Sequence, residues 1–202
     1  QIERRDPDAK IVFLPADQHI QPKSLFQKTL KAAFQVVDER PVLIGLHPTL
    51  PHPGFGYLEV ERRAGKVRGI SLFRVRRFHE KPSLEKARNF LRQGNFLWNG
   101  GTFVWTLDAF KSAVKRYLPA VYRVWNRLGS GDVGAYRALP SISLDYAVME
   151  KMKEVHCLLA PYEWSDVGGW EGLAEFLPED SKENRVHGNV LLVKCRRNIV
   201  RA

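Results

Sequence analysis

Short apolar runs alternate with amphipathic segments near the start of the chain. The first run covers residues 11–14 and ends at Pro15, and a helical pattern with one apolar face follows over residues 23–37. A second apolar run follows Pro41, at residues 42–46. Uninterrupted apolar runs of this length are typical of strands buried on both faces. The pattern therefore predicts a β-α-β unit in a parallel sheet with a right-handed crossover.

Strand and helix patterns continue to alternate along the rest of the chain. Residues 47–56 are rich in Pro and Gly and are predicted to be loop, whereas Ser83 and Gly94 are typical of the start and end of a helix over 83–93. Further strands are predicted at 57–62, 67–78, 102–105, 156–160 and twice within 188–201, and further helices at 108–125 with a break at Pro119, at 143–152 and at 169–176. The alternation indicates an α/β domain.

Composition and charge narrow the class of protein. Of 202 residues, 44% are hydrophobic and 27% are charged, which excludes general disorder. No apolar run approaches the roughly 20 residues that a membrane helix needs, so no membrane partner is expected. The net charge of +10 suits phosphorylated ligands, but no basic helix or finger motif indicates nucleic acid. Cys157 and Cys195 form no CxxC pair, and a reduced, cytoplasmic setting is expected.

Two aspartates follow predicted strands. Asp17 lies just after the first apolar run, and Asp166 lies in a glycine-rich turn before a predicted helix. Open α/β sheets place ligands at the carboxyl ends of their strands, and Mg²⁺ prefers carboxylate oxygens. The alternative is that each aspartate caps a helix.

Four other residues in predicted loops have side-chain or backbone chemistry suited to a ligand. Gly56 lets the backbone approach closely, Glu80 and Lys81 can together bind hydroxyl and phosphate groups, and Asn99 offers both donors and an acceptor. The alternatives are a rigid turn, a surface ion pair and an Asn-Gly turn. Asp145 lies in a segment that is most simply a capped amphipathic helix, and we interpret it as a residue that supports its neighbours.

The order and the residues of these segments resemble those of a known family. The segments are LPAD (14–17), PTLP (48–51), GFGYLEV (54–60), FHEKP (78–82), WNGGTFVW (98–105), SISLDYAVMEK (141–151) and WSDVGGW (164–170). The chain resembles the sugar-1-phosphate nucleotidyltransferases, and most closely the mannose-1-phosphate guanylyltransferases, from about residue 11 to residue 202.

The resemblance implies a Rossmann-like mixed sheet and a Mg²⁺-dependent reaction of GTP with mannose 1-phosphate that yields GDP-mannose and pyrophosphate. It implies a catalytic set of Asp17, Lys81 and Asp166, in which the two aspartates bind the metal. Contacts to the sugar phosphate are assigned to Gly56, Glu80, Lys81 and Asn99, in one cleft beside Asp166. A homodimer is one possible assembly.

The chain also departs from the family pattern. Phe55 stands where the family usually has Tyr, Gly100 where it has Ser, and Gln18 where it has His. The glycine-rich triphosphate loop and its lysine are absent, so we expect a further roughly 80–110 residues upstream, enough for two β-α units, and no activity from these residues alone. The resemblance predicts a nucleotidyltransferase domain over 1–180, then a linker and the start of a β domain over 181–202.

Two other functions stay open at this point. One is the same chemistry on another base or sugar, such as thymidylyl or cytidylyl transfer to glucose 1-phosphate. The other is a non-catalytic sensor of sugar phosphates or nucleotides, which would keep the sugar-side residues but lack the triphosphate loop. A glycine-rich loop with Arg and Lys in the upstream sequence would favour the enzyme.

Overall fold

The computed structural model describes residues 2–169, 172 and 176–202, with the side chain of Arg62 left aside. They form two compact units. The larger unit comprises Gln1–Pro15 and Lys23–Pro161, and the smaller unit comprises Ala16–Pro22 and Tyr162–Ala202. This division follows packing, whereas the boundary predicted at residue 180 divides the sequence by family resemblance and stays a prediction.

The elements alternate much as the apolar pattern predicts. The strands are β1 (Lys10–Phe13), β2 (His19–Gln21), β3 (Val42–Leu46), β4 (Tyr57–Val67), β5 (Ile70–His79), β6 (Phe96–Thr106), β7 (Val155–Leu159), β8 (Glu163–Ser165), β9 (Arg185–His187) and β10 (Ile199–Arg201). The helices are α1 (Ile2–Arg5), α2 (Lys23–Val36), α3 (Leu84–Gln93), α4 (Leu107–Tyr117), α5 (Pro119–Arg123), α6 (Trp125–Gly129), α7 (Val133–Arg137) and α8 (Leu144–Ala147), and a 3₁₀ turn covers Met149–Lys151. In the described part of the chain, none of the helices has the length and apolar character needed to cross a membrane.

A six-stranded sheet forms the centre of the larger unit, in the order β1-β6-β3-β7-β5-β4. Strands β3 and β7 run parallel, and the other neighbouring pairs are antiparallel, so the sheet is mixed. All five residues of β3 are buried, as the apolar run predicts. Strand β4 also pairs with the start of β6, which brings the beginnings of these two strands together. The structure thus confirms the α/β class and the mixed sheet.

The first predicted strand is present, but its surroundings differ from the prediction. Strand β1 is an edge strand that pairs only with β6 among the described residues, and the pairing is antiparallel. Phe13 is 37% exposed and Leu14 is 48% exposed, so the prediction of a strand buried on both faces was wrong. Since β1 and β3 are both antiparallel to β6, they run parallel to each other. The two strands of the predicted β-α-β unit are therefore parallel, but β6 lies between them and pairs antiparallel with both. The prediction of a parallel sheet was wrong, because most neighbouring strands in the sheet are antiparallel.

Strand β6 is longer than the pattern predicts. It includes Asn99 and the two glycines after it, so the alternative of an Asn-Gly turn, and the loop assignment with it, was wrong. Between Leu43↔Phe103 and Gly45↔Asn99, β6 advances four residues while β3 advances two, which defines a β-bulge. Gly101 has φ of 67°, a conformation that favours glycine. Because these glycines are typical of a turn, the sequence pattern does not predict this part of the strand. Asn99 therefore lies at the β-bulge of β6.

Most predicted helices are confirmed, and two are not. Ser83 caps α3 through the amide of Lys86, and Gly94 ends it with φ of 72°. The helix predicted over 143–152 is interrupted, because α8 covers four residues and a 3₁₀ turn follows it. The helix predicted over 169–176 falls mostly outside the described residues.

Two small sheets lie in the smaller unit. Strands β2 and β8 are antiparallel, and β9 and β10 are parallel with an offset of 14 residues, from Arg185 to Ile199. The two strands predicted within 188–201 are corrected accordingly, because the first of them ends at His187. Asn184 is buried, and its Oδ1 accepts hydrogen bonds from the backbone and the side chain of Asn198. This contact links equivalent positions just before β9 and β10.

Gly45 in β3 has no room for a side chain. A Cβ there would lie 2.6 Å from Sγ of Cys157 and 2.9 Å from Cδ1 of Leu97. We expect Gly45→Ala to lower the free energy of unfolding by about 1–3 kcal/mol in urea denaturation, because it overpacks the core. Adding Cys157→Ala should cost less than the sum of the two single changes.

The matched control for this prediction is Gly65→Ala on β4. A Cβ at Gly65 would have no atom within 4 Å, so the free energy of unfolding should change by less than about 0.5 kcal/mol. Equal losses for the two alanine variants would contradict the packing described for β3.

Candidate functional site

The residues predicted to bind the sugar phosphate meet where β4, β5 and β6 come together. Tyr57, the first residue of β4, pairs with both β5 and β6. Gly56 precedes β4, Glu80 follows β5 and Asn99 lies on β6, so the three become neighbours. The main chain joins two of them, since the amide of Asn99 donates to the carbonyl of Gly56 at 2.8 Å. The structure brings together residues that are far apart in the sequence.

Glu80 is a buried charged side chain of this pocket, with 8% of the side chain exposed. Its Oε2 lies against Gly56, where an added Cβ would be 2.7 Å away. Among the described residues, no donor forms a hydrogen bond with this buried oxygen. Leaving such an acceptor unsatisfied costs roughly 1–3 kcal/mol. A proton or a hydroxyl group of a ligand would relieve that cost.

The pKa of the Glu80 carboxyl group is shifted for the same reason. Burial raises the pKa of this carboxyl to about 7, and the negative charges of Asp145 and Glu150 act in the same direction. Lys81 opposes them, with Nζ 3.7 Å from Oε1 of Glu80. Near neutral pH, Glu80 can therefore accept a hydrogen bond or hold a proton.

Lys81 lies at the open side of the pocket. Its side chain is 57% exposed, and its backbone has φ of 44°, in the left-handed region. Backbone strain of this kind in a residue other than glycine is often found at functional sites. The turn directly after β5 thus leaves the Glu80 side chain buried while the ammonium group of Lys81 reaches solvent.

Asn99 is fixed by hydrogen bonds on both sides of its amide. Oδ1 accepts from the backbone of Gly101 at 3.1 Å, and Nδ2 donates to Oδ1 of Asp145 at 3.1 Å. Sequence analysis missed the role of Glu150, whose Oε1 accepts from the backbone amide of Glu80 at 2.9 Å. The only sequence signal for it was its place in the segment 145–151, in which Asp145 was assigned a supporting role.

The loop before Gly56 is held by aromatic contacts. His52 stacks on Phe55 at 4.1 Å, and Phe55 meets Trp98 edge to face at 5.0 Å. The hydroxyl of Tyr57 accepts from the amide of His52 at 3.0 Å and donates to its carbonyl at 3.2 Å. These contacts place Gly56 against Glu80 without the Tyr hydroxyl that the family usually has at position 55.

The smaller unit contains both aspartates predicted to bind a metal. Strands β2 and β8 pair antiparallel with His19 opposite Ser165, so Asp17 and Asp166 lie at the same end of the pair. Asp17 is exposed, and among the described residues Asp166 accepts one long bond, of 3.4 Å, from the amide of Gly168. Two carboxylates suit Mg²⁺, which prefers oxygen ligands. No group of three or more metal-binding side chains occurs among the described residues, and the pair stays a predicted site.

A cavity of about 920 Å³ lies in the larger unit, at the opposite end of β3 from this pocket. It is lined by Arg40, Arg116, Lys151 and Lys153, but equally by acidic residues such as Asp38, which forms a salt bridge with Arg40. Its charges of both signs nearly cancel. We therefore place the candidate site at Glu80, where a buried carboxylate oxygen has no donor among the described residues, rather than in this cavity.

Gly56→Ala tests the geometry of the pocket. The added Cβ would lie 2.7 Å from Oε2 of Glu80 and 3.2 Å from Cβ of Asn99. If the predicted sugar-phosphate site is correct, displacement of the carboxylate should raise the KM of the full-length protein for sugar phosphate by roughly tenfold, with the KM for nucleotide little changed. Steady-state kinetics checks this, with Gly65→Ala as the control, and an unchanged KM for sugar phosphate would show that the pocket is not where substrate binds.

Known proteins resemble the chain over most of its length. The protein XanB of Xanthomonas campestris pv. campestris (strain B100), named for xanthan biosynthesis, is 30% identical over 96% of this chain. The mannose-1-phosphate guanylyltransferase ManC of Salmonella typhimurium (strain LT2) is 30% identical over 99% of it. The chain spans only 42% and 44% of these two relatives.

A solved structure and a family model agree with these relatives. The structure of a protein from Thermus thermophilus, named mannose-1-phosphate geranyltransferase, is 30% identical and superposes with a TM-score of 0.81. That superposition covers 93% of this chain and 55% of the other. The family model described as nucleotidyl transferase matches residues 2–183. The chain thus belongs to the nucleotidyl transferase family.

Proposed function

We propose that the protein transfers a guanylyl group from GTP to mannose 1-phosphate and forms GDP-mannose and pyrophosphate. The observation that supports this most is the pocket of Gly56, Glu80 and Asn99, in which a buried carboxylate oxygen has no protein donor among the described residues. A polyhydroxylated ligand supplies such donors, and the amide of Asn99 complements them. The names of the relatives, which include mannose-1-phosphate guanylyltransferase, support the choice of sugar and base.

The chemistry requires positioning more than proton transfer. A phosphate oxygen of the sugar phosphate attacks the α-phosphorus of GTP in line, a new oxygen–phosphorus bond forms, and the bond to the β-phosphate oxygen breaks. The attacking oxygen is already anionic at neutral pH, so no side-chain general base is needed. Catalysis then depends on orientation and on neutralising the charge of the phosphates.

The residues of the pocket take separate roles in this proposal. Glu80 and Asn99 bind sugar hydroxyl groups, and Gly56 keeps the backbone close to the sugar. Lys81, at the open side, offsets the negative charge of the sugar phosphate, which the nearby carboxylates would otherwise repel.

The donor set of Asp17 and Asp166 fits Mg²⁺, and these two residues would hold it. When bound, the ion would supply Lewis acidity toward the phosphate oxygens. The proposal assigns no other cofactor.

A chromatographic screen of the full-length protein tests this function. GTP, dTTP, CTP and UTP are each incubated with mannose 1-phosphate and with glucose 1-phosphate, and the nucleotide sugars are separated. We expect GDP-mannose as the main product. A different nucleotide sugar would correct the base or the sugar, and binding of sugar phosphate without any product would indicate a sensor.

A further inference from the structure

The proposed reaction gives no direct role to Asp145, although this side chain lies in the pocket. Asp145 is in the first turn of α8, which Ser143 caps through the amide of Tyr146. The residues after it, at 147–149, are fully buried in the core of the larger unit. The backbone that carries Asp145 is therefore rigidly held, and its carboxylate is presented to the pocket at a fixed place.

We infer that Asp145 is a positioning residue of the sugar-phosphate site, which controls the two side chains, Asn99 and Glu80, on which sugar binding depends. The inference rests on the proposed function and extends it, since it assigns a positioning role to a residue that would not itself touch the substrate.

The first effect concerns the orientation of the Asn99 amide. A side-chain amide can turn by 180°, which exchanges its donor and acceptor. Here a carboxylate oxygen of Asp145 accepts from Nδ2, and a backbone amide, which only donates, faces Oδ1. Both contacts select the same orientation. The second hydrogen on Nδ2 is then left to donate to a ligand oxygen.

The second effect concerns the charge of Glu80. The charged groups around it are Asp145 from α8, Glu150 from the 3₁₀ turn and Lys81 from the adjoining backbone. Asp145 is the strongest of these, after burial itself, in raising the pKa of Glu80. Burial also raises the pKa of Asp145. Asp145 therefore helps to keep the pKa of Glu80 near 7. When Glu80 ionises, its buried oxygen is a stronger acceptor for a hydrogen bond from a sugar hydroxyl.

Two substitutions of Asp145 separate these effects. Asp145→Asn removes the charge but keeps an oxygen that can accept from Asn99, whereas Asp145→Ala removes both. Asp108→Asn, an exposed aspartate in the first turn of α4, is the matched control. Each variant is made in the full-length protein, and thermal unfolding checks that it folds.

The first measurement needs no substrate. NMR titration of ¹³C-labelled Glu side chains, with Glu80→Gln to assign the signal, follows Glu80 directly in the free protein. We expect the midpoint of its titration to fall by about one pH unit in Asp145→Asn and to stay unchanged in Asp108→Asn. An unchanged midpoint in Asp145→Asn would overturn the electrostatic role.

The second measurement is the pH dependence of kcat/KM for mannose 1-phosphate. In Asp145→Asn the acid limb should move to lower pH, with less than about threefold loss at pH 8, because the acceptor for Asn99 is kept. In Asp145→Ala, which also removes the charge, the acid limb should move in the same direction, and at pH 8 the KM for sugar phosphate should rise by about tenfold with the KM for GTP unchanged. The ionisation of the sugar phosphate is the same for all variants and cancels in the comparison.

The outcomes separate this inference from the proposed function. If the wild type forms no nucleotide sugar and binds no mannose 1-phosphate, the proposed function and the inference fall together. If the wild type is active but both variants keep the wild-type pH profile and KM, the proposed function stands and the role of Asp145 is wrong.

Discussion

Asp166→Asn in the full-length protein should lower turnover by about 10²–10³-fold, and Asp17→Asn should act in the same way. The reason is that the amide keeps the shape of the side chain but loses the charge on which a Mg²⁺ ligand depends. Stability should change little, because Asp17 is exposed and, in the part of the chain that the structure describes, Asp166 accepts a single long bond of 3.4 Å. Steady-state kinetics over a range of Mg²⁺ concentrations, together with thermal unfolding, checks both statements.

The matched control is Glu163→Gln, which removes an exposed carboxylate from the same strand, β8. It should keep wild-type turnover at every Mg²⁺ concentration. If Asp166→Asn turns over at the wild-type rate, Asp166 has no part in the mechanism. If only one of the two aspartate variants is impaired, the two residues do not share a metal.

Glu80→Gln should raise the KM for mannose 1-phosphate by about tenfold or more. The variant keeps the shape of the pocket but loses the charged acceptor, and charge-assisted hydrogen bonds are worth about 1.5–3 kcal/mol. GTP binding measured without sugar should be nearly unchanged. Glu85→Gln, which changes an exposed residue in the first turn of α3, is the control. Equal damage to the binding of both substrates would indicate a structural role for Glu80.

The same substitution should change the pH dependence of stability. Glu80 keeps its proton up to a pKa of about 7 in the folded protein, against 4.5 for an ordinary glutamate. Between these values the folded state holds more protons than the unfolded state, so the free energy of unfolding falls as pH rises. In Glu80→Gln this decrease in the free energy of unfolding does not occur, because glutamine does not titrate. Relative to wild type, the variant should gain about 3 kcal/mol between pH 4 and pH 8 in urea denaturation.

A pH-independent difference in stability between Glu80→Gln and wild type would contradict the assignment of a buried, poorly satisfied carboxylate. The combination of weaker substrate binding with higher stability at alkaline pH is the distinguishing result. A residue selected for folding alone would lose stability when altered, whereas a residue selected for binding carries a cost in the free protein.

The regular elements could be predicted from the sequence because local chemistry determines them. The apolar run of β3, the Ser83 cap of α3 and the break at Pro119 were all confirmed by the structure. Where the prediction failed, a tertiary contact decided the outcome. The bulge in β6 depends on its pairing with β3, so two glycines that suggest a turn instead lie within a strand.

The residues of the candidate site could be proposed from the sequence, but their burial and their contacts could not. The sequence motifs identified Glu80 and Asn99, and the structure places them together with Gly56. Neither the burial of Glu80 nor its contact with Glu150 follows from sequence spacing, because the two residues are 70 positions apart. Only the pairing of β4 with both β5 and β6 creates the pocket, and that pairing is set by long-range register.

The most direct test of the central claim follows the reaction itself by ³¹P NMR. Full-length protein is incubated with GTP, mannose 1-phosphate and Mg²⁺, and the phosphorus signals are followed with time. We predict that the signals of GDP-mannose and pyrophosphate grow in equal amounts while those of GTP and mannose 1-phosphate decline, and that Asp166→Asn suppresses the change. Release of orthophosphate and GDP with mannose 1-phosphate unconsumed would contradict the account, as would spectra that do not change.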